Sequence, residues 1–316
     1  MSALNLPPFY LFCDIMSGLF WSLTYIFIIH RGHIDKAHGM PLWALALNFA
    51  WEFNYSFITP CPFPQRAINI VWCLLDIVIL YHFLKFCKVD YPTLTKKTMY
   101  PLVAVAFVLC WLIVVMCQYE FWPSAPADYP LGMGRAYSAW GMDLSMSILF
   151  IYFIIRRNDM RGQSIWIAIF MFIGNLFAAI PFIVYQGKGV PGVPELGYFY
   201  PLVFVFALSF NIVYICECYW YSKRDGINPW KRWSVVWRFT PSTNQKGLHF
   251  GAVPYSFGDS LHNGVSLRSQ HLQCLGEVLF LDKNVVRVVR RHGKQADLML
   301  RQNAGQFRQN ADHRKL

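Results

Sequence analysis

Residues 41–59 read PLWALALNFAWEFNYSFIT. The stretch is long and apolar enough to cross a bilayer, which takes about 17–25 residues as a helix. It also carries an acid, Glu52. A charge at the bilayer centre costs at least roughly 2.5–3.5 kcal/mol, so such residues face a protein interior or cavity and mark function. Asn48, Trp51, Glu52 and Tyr55 stand at i, i+3, i+4 and i+7, which places them on one helical face. An amide, an indole, a carboxyl and a phenol on one face of a buried helix are the makings of a binding or reaction chamber.

Working outward, six further apolar runs occur near 9–29, 66–86, 101–119, 135–155, 164–185 and 199–220. The 316 residues are 56% apolar and only 14% charged, where soluble domains carry about 25% charged residues. Mean hydropathy is positive. The fold class is therefore all-α: a polytopic membrane protein with seven transmembrane helices. The first run contains Asp14, lacks a basic leader and has no small-residue cleavage pattern after it, so it reads as a helix and not as a signal peptide.

The net charge of +11 is distributed unevenly. Arg31, Lys36, Lys85, Lys88, Lys96, Lys97, Arg156, Arg157, Arg161, Lys223, Arg224, Lys231 and Arg232 follow odd-numbered helices, whereas the opposite side holds Arg66, Arg135 and Lys188. This asymmetry places the N-terminus outside or lumenal and the C-terminus in the cytoplasm. The basic excess is topological, and no nucleic-acid partner is expected. The nine cysteines are scattered without zinc spacing and read as packing residues. Cys216 and Cys218, two apart on a helix, diverge.

Three regions follow: a seven-helix domain over 1–225, an interfacial basic and aromatic segment over 226–240 with Trp230, Trp233 and Trp237, and a poorly ordered cytoplasmic tail over 241–316. A weak repeat runs through the helices. Asp14, Asp76, Asp143 and Asn211 sit in similar short strings on helices 1, 3, 5 and 7. Repeated helix pairs are common in membrane proteins. With a rise of about 1.5 Å per residue, these groups and Glu52 fall at comparable depth and line a polar cavity in the outer half of the bundle. Carboxyls removed from water hold their protons more tightly.

Glu52 is the candidate proton donor; its structural alternative is a helix–helix hydrogen bond, with Asn175 as partner. Asp76 and Asp143 are candidates for a base, a second acid or groups that orient Glu52, or else structural partners of Arg135, Tyr81 or Ser145. Asn211 and Tyr214 lie i, i+3 on helix 7 and present an amide and a phenol. Glu217 lies off that face. The many tryptophans offer π faces that stabilise a cation. Several chemistries are absent from the sequence: a GxxxxGK[ST] phosphate loop, HExxH, the DDxxD aspartates that hold magnesium in diphosphate-ionising enzymes, and DxDD. A mid-helix lysine for retinal and the receptor strings Asp-Arg-Tyr and Asn-Pro-x-x-Tyr are also missing. Pro64-Gln65 matches only half of a paired transporter motif, and the Asn54-Tyr-Ser56 glycosylation sequon falls inside a membrane helix.

The string Asn48-x-x-Trp51-Glu52-x-x-Tyr55, followed by Trp72-x-x-x-Asp76, resembles helices 2 and 3 of the integral-membrane terpene cyclases of meroterpenoid and indole-diterpene biosynthesis. Ser138-Ala-Trp140-Gly141, Arg161-Gly-Gln-Ser164 with Trp166, Phe210-Asn211-x-x-Tyr214 and Asn228-Pro229-Trp230 extend the likeness over about residues 10–235. The resemblance implies a metal-independent cyclase without cofactor. An acid protonates an alkene or epoxide of a prenylated precursor, and the cation closes ring by ring. Glu52 matches the family's helix 2 glutamate. Asn211 stands where the family has a helix 7 aspartate, so Asp143, Asp76 or Glu217 would supply a second acid, or a hydrogen-bonding partner suffices, or the activity differs from the family's. Asn48, Trp51, Tyr55, Trp140 and Tyr214 would contact substrate. The implied partners are a prenylated or epoxyprenylated small molecule and the lipid bilayer. The membrane is the endoplasmic reticulum in a fungus or the plasma membrane in a bacterium. Two other readings use the same residues: a heptahelical transporter or receptor that binds without chemistry, and a membrane scaffold.

Overall fold

A computed structural model of the protein describes residues 7–93, 95–121, 133–190, 193 and 195–234. Trp237 and the expected tail over 241–316 lie outside the described residues. Within them the chain forms seven α-helices: α1 Pro8–Asp35, α2 Leu42–Phe53, α3 Gln65–Phe86, α4 Lys96–Glu120, α5 Gly134–Arg157, α6 Ile165–Tyr185 and α7 Phe199–Arg224. No strand occurs among the described residues. Six of the helices are long and apolar enough to cross a membrane; α2, at 12 residues, is the exception.

Local signals set the ends. Pro8 opens α1, where its missing N–H costs nothing. Thr95 and Ser164 cap α4 and α6 by accepting the Thr98 and Ile167 backbone N–H groups. Lys36 and Asn158 close α1 and α5 with φ values of 53° and 56°, the left-handed stop that ends many helices.

The expected single helix over 41–59 is interrupted. After Phe53 the chain makes a π-helical turn, Asn54–Ile58, in which the Thr59 N–H reaches the Asn54 carbonyl at 2.8 Å. The wider turn is pinned at both ends. The Asn54 amide donates to Thr59 Oγ1 at 2.9 Å, and Arg66 Nε donates to the Ser56 carbonyl at 3.1 Å. Periodicity cannot reveal such a turn, because one added backbone position leaves the residue types unchanged.

The helices pack with α1 against α6 and α3, α2 against α3, α4 and α5, and α7 against α5 and α6. Gly134 lets α5 approach α4 closely: a Cβ there would stand 2.5 Å from the Cys117 carbonyl oxygen. Around the outside, Leu102, Val105, Leu109, Leu112 and Met116 of α4 form an exposed apolar stripe at helical spacing. Burial also separates the neighbouring thiols, with Cys218 inside and Cys216 exposed.

One end of the bundle is held by ion pairs. Asp35 accepts from Arg31, from Arg232 at 2.6 Å and from the Gly162 N–H at 2.8 Å. Asp90 pairs with His38 at 2.8 Å and with Arg157 at 2.5 Å. Burial alone would raise the Asp90 carboxyl, but the His38 hydrogen bond and the Arg157 guanidinium outweigh it and hold the group well below the usual carboxylate range. At this end Trp166 Nε1 donates to the Trp230 carbonyl at 3.0 Å, and Trp230 and Trp233 stand exposed.

Candidate active site

At the opposite end from those ion pairs, α1, α2, α3, α5 and α6 line a half-open cavity of about 130 Å³. Its wall includes Asp14, Trp21 and Tyr25 of α1, Asn48, Trp51 and Glu52 of α2, Gln65 and Trp72 of α3, Arg135, Trp140 and Asp143 of α5, and Phe177 and Pro181 of α6. Pro181 lacks the N–H that would bond the Phe177 carbonyl, so α6 loses a rung where it borders this space.

Glu52 is the centre of a buried polar group. Its Oε1 accepts from the Tyr25 hydroxyl and from Asn48 Nδ2 at 2.8 Å. The Asn48 amide also reaches the Tyr25 oxygen, and stands 2.9 Å from Asp76 Oδ2. All four side chains are buried. Glu52 Oε2 and Asp76 Oδ1 are buried and accept from no protein N–H or O–H donor, and the two carboxyls stand in hydrogen-bonding reach of each other.

The sequence-derived candidates divide into two sets. Asn48, Trp51, Glu52, Trp140 and Asp143 border the cavity, and Asp76 joins them through Asn48. Tyr55, Asn211 and Tyr214 lie away from its wall. The Tyr55 hydroxyl reaches α4, where it donates to Gln118 Oε1 at 2.6 Å, and its ring packs on Trp51 at 4.9 Å. Asn211 accepts from Ser147 Oγ at 3.2 Å, and that serine sits one turn beyond Asp143. Tyr214 donates to Gln163, whose own amide bonds the Gly39 carbonyl at 2.6 Å. Glu217 is half-buried on α7. Asn175 pairs with Trp21 Nε1 at 3.0 Å and not with Glu52.

Tyr25 is absent from the sequence-derived candidates, whereas Trp21 and Trp72 belong to the tryptophans expected to offer π faces, and the structure places both on the cavity wall. A signal existed: Asp14, Gly18, Trp21 and Tyr25 follow one another at spacings of four, three and four on a single face of α1. Trp72 stacks on Tyr25 at 6.1 Å, with an interplanar angle of 20°. Trp140 closes the α7 side against Phe204 at 4.0 Å. Among the described residues no group of three or more His, Cys, Asp or Glu could hold a metal ion.

Apolar helices thus surround a buried acid and four indoles, those of Trp21, Trp51, Trp72 and Trp140. The family model for Pyr4-like transmembrane terpene cyclases matches residues 2–225, and the chain belongs to that family. It is thus an integral membrane protein of the terpene cyclase class. The Pyr4-family terpene cyclase mfmH of Annulohypoxylon moriforme is 30% identical over 190 residues, covering 57% of this chain and 74% of that protein. Terpene cyclase pyr4 of Aspergillus fumigatus is 29% identical over 171 residues, covering 52% and 67%. Terpene cyclase macJ of Penicillium terrestre is 28% identical over 172 residues, covering 53% and 64%. No solved structure matches the chain.

Proposed function

We propose that this chain cyclises a prenylated or epoxyprenylated precursor of the meroterpenoid kind, starting by protonation at Glu52. The observation that carries the reading is a buried carboxyl on the cavity wall whose Oε1 is engaged by Tyr25 and Asn48, with a second carboxyl, Asp76, in hydrogen-bonding reach. The proton on Oε2 passes to a terminal alkene carbon or epoxide oxygen. The O–H electron pair stays on Glu52, and the cation left on the chain is attacked by the next double bond.

The other wall residues take roles around this step. Trp21, Trp51, Trp72 and Trp140 offer π faces, each worth about 0.5–2 kcal/mol to a desolvated cation. Asp143, across α5, is the candidate base that accepts the final proton, and Asp76 orients the acid through Asn48. Asn211 acts through Ser147 and α5, and Tyr55 and Tyr214 shape the chamber from outside its wall. A dry site keeps water from quenching the cation early.

We further propose that α2 with its π turn is the seventh span. The ion-paired end is cytoplasmic and the cavity lies in the outer half, which follows from the positive-inside asymmetry. Residues 1–225 are the catalytic domain, 226–240 an interfacial segment and 241–316 a cytoplasmic tail.

The test is conversion of farnesyl phenols, with and without a terminal epoxide, by microsomes containing the chain, followed as products of unchanged mass. Glu52→Gln should lower turnover by at least about 100-fold while leaving the yield of folded protein unchanged. Wild-type turnover by this variant would remove Glu52 from the reaction and favour a binding protein.

A further inference from the structure

We infer that Tyr25 is a positioning residue for the proton donor: it fixes which oxygen of Glu52 gives up the proton and supports the carboxylate left behind. The inference rests on the reading of Glu52 as the acid. Tyr25 lies on α1, and no residue of α1 is needed to explain Glu52 by its own helix. Its hydroxyl donates to Glu52 Oε1, and the Asn48 amide, with one N–H on the same Oε1 at 2.8 Å and the other on Asp76 Oδ2 at 2.9 Å, is the second donor there. Two donors on Oε1 make it the carbonyl oxygen of the neutral acid, since a protonated carboxyl keeps one oxygen as acceptor and carries its O–H on the other. The transferable proton is therefore on Oε2, an oxygen that accepts from no N–H or O–H donor of the protein, with the Asp76 carboxyl in hydrogen-bonding reach of the same group.

The phenol is held as firmly as the task requires. Its ring stacks on Trp72 at 6.1 Å and meets Trp21 at 6.1 Å on another side. Each indole is tied by its own N–H, Trp72 to Ser22 Oγ at 3.0 Å and Trp21 to Asn175 Oδ1 at 3.0 Å. Gly174 makes room for the Trp21 ring, whose Cδ1 would stand 2.7 Å from a Cβ there. Tyr25 is 2% exposed, so water does not compete for its hydroxyl.

When the Oε2–H bond breaks and its proton bonds to the substrate, the negative charge spreads over both carboxylate oxygens. The Tyr25 O–H bond to Oε1 then becomes charge-assisted and roughly twice as strong as its neutral form. An interaction that strengthens only as the transition state is reached acts on kcat and not on substrate binding.

The experiment uses the full chain in microsomes with the farnesyl phenol panel, comparing wild type, Glu52→Gln and Tyr25→Phe. Tyr25→Phe keeps the ring between its two indoles and removes the hydroxyl alone. The expected result is a fall in kcat on the order of 100-fold, with KM within about twofold of wild type and a larger solvent deuterium isotope effect on kcat. Tyr25→Phe with wild-type kcat, or with only KM raised, overturns the inference while the acid assignment stands. An inert wild type or an active Glu52→Gln overturns the acid assignment itself, and the Tyr25 role with it. If Tyr25→Phe is not recovered folded, 3-fluorotyrosine at position 25 retains the hydroxyl and changes its donor strength. A change in kcat at constant KM is then expected, and an unchanged kcat overturns the inference.

Discussion

A carboxyl buried among apolar helices must repay its transfer from water, and Glu52 does so through Tyr25, Asn48 and the neighbouring Asp76 carboxyl. Tyr25 and Asn48 satisfy Oε1, and Asp76 shares the Asn48 amide. Sequence spacing identified Glu52 and Asn48 because a single helix sets their relation. It could not supply Tyr25 or the Asp76 contact, which depend on how α1 and α3 turn towards α2. The same limit applies to Asn211. Its place on α7 was legible, but only the bundle puts it behind Ser147, one turn from Asp143 and off the cavity wall. Asn211→Asp is nearly isosteric and keeps an acceptor for Ser147, so it should fold normally. The expected outcome is a changed product pattern with a rate shift of about tenfold, read by comparing product profiles from wild-type and variant microsomes. Unchanged rate and products would detach this helix 7 position from the chemistry.

Among the elements, the π turn stands nearest the acid in sequence. Tyr55 within it bonds Gln118 of α4, while Glu52 before it meets Tyr25 of α1. π turns are uncommon and cluster at functional sites, in keeping with one that begins two residues after the acid. Gly134 is the second element-level device. It brings the start of α5 onto α4, and the Arg135 carbonyl beside it accepts from Trp51 Nε1 at 3.3 Å. Gly134→Ala would force a methyl against the Cys117 and Gln118 backbone, which cannot swing aside as a side chain can. The expected cost is about 1–3 kcal/mol, seen as a lower thermal midpoint of the solubilised protein. An unchanged midpoint would mean that α4 and α5 do not approach this closely.

At the scale of the whole molecule the two ends of the bundle do different work. One is closed by Asp35 and Asp90 with their arginines, tying α1, the α3–α4 and α5–α6 connections and the segment after α7. The other holds the cavity. Breaking a buried ion pair by removing one partner costs roughly 3–5 kcal/mol, so the closed end is suited to anchoring the bundle. The proposed sidedness is checked with single cysteines at Lys97 and Lys188, both exposed. In sealed microsomes an impermeant thiol reagent should label the Lys97→Cys variant directly and the Lys188→Cys variant only after permeabilisation. The reverse pattern would invert the topology.

The sequence by itself determined the all-helical membrane class, the approximate spans, the charge asymmetry and the acid at position 52. Each of these is a property of composition or of spacing along one helix. Tertiary structure alone decided which acid meets which donor, which aromatic rings border the cavity, and which oxygen of Glu52 the Tyr25 hydroxyl engages. Those relations join α1, α2, α3 and α5 across tens of residues, and helical periodicity fixes a residue's face without naming the helix opposite.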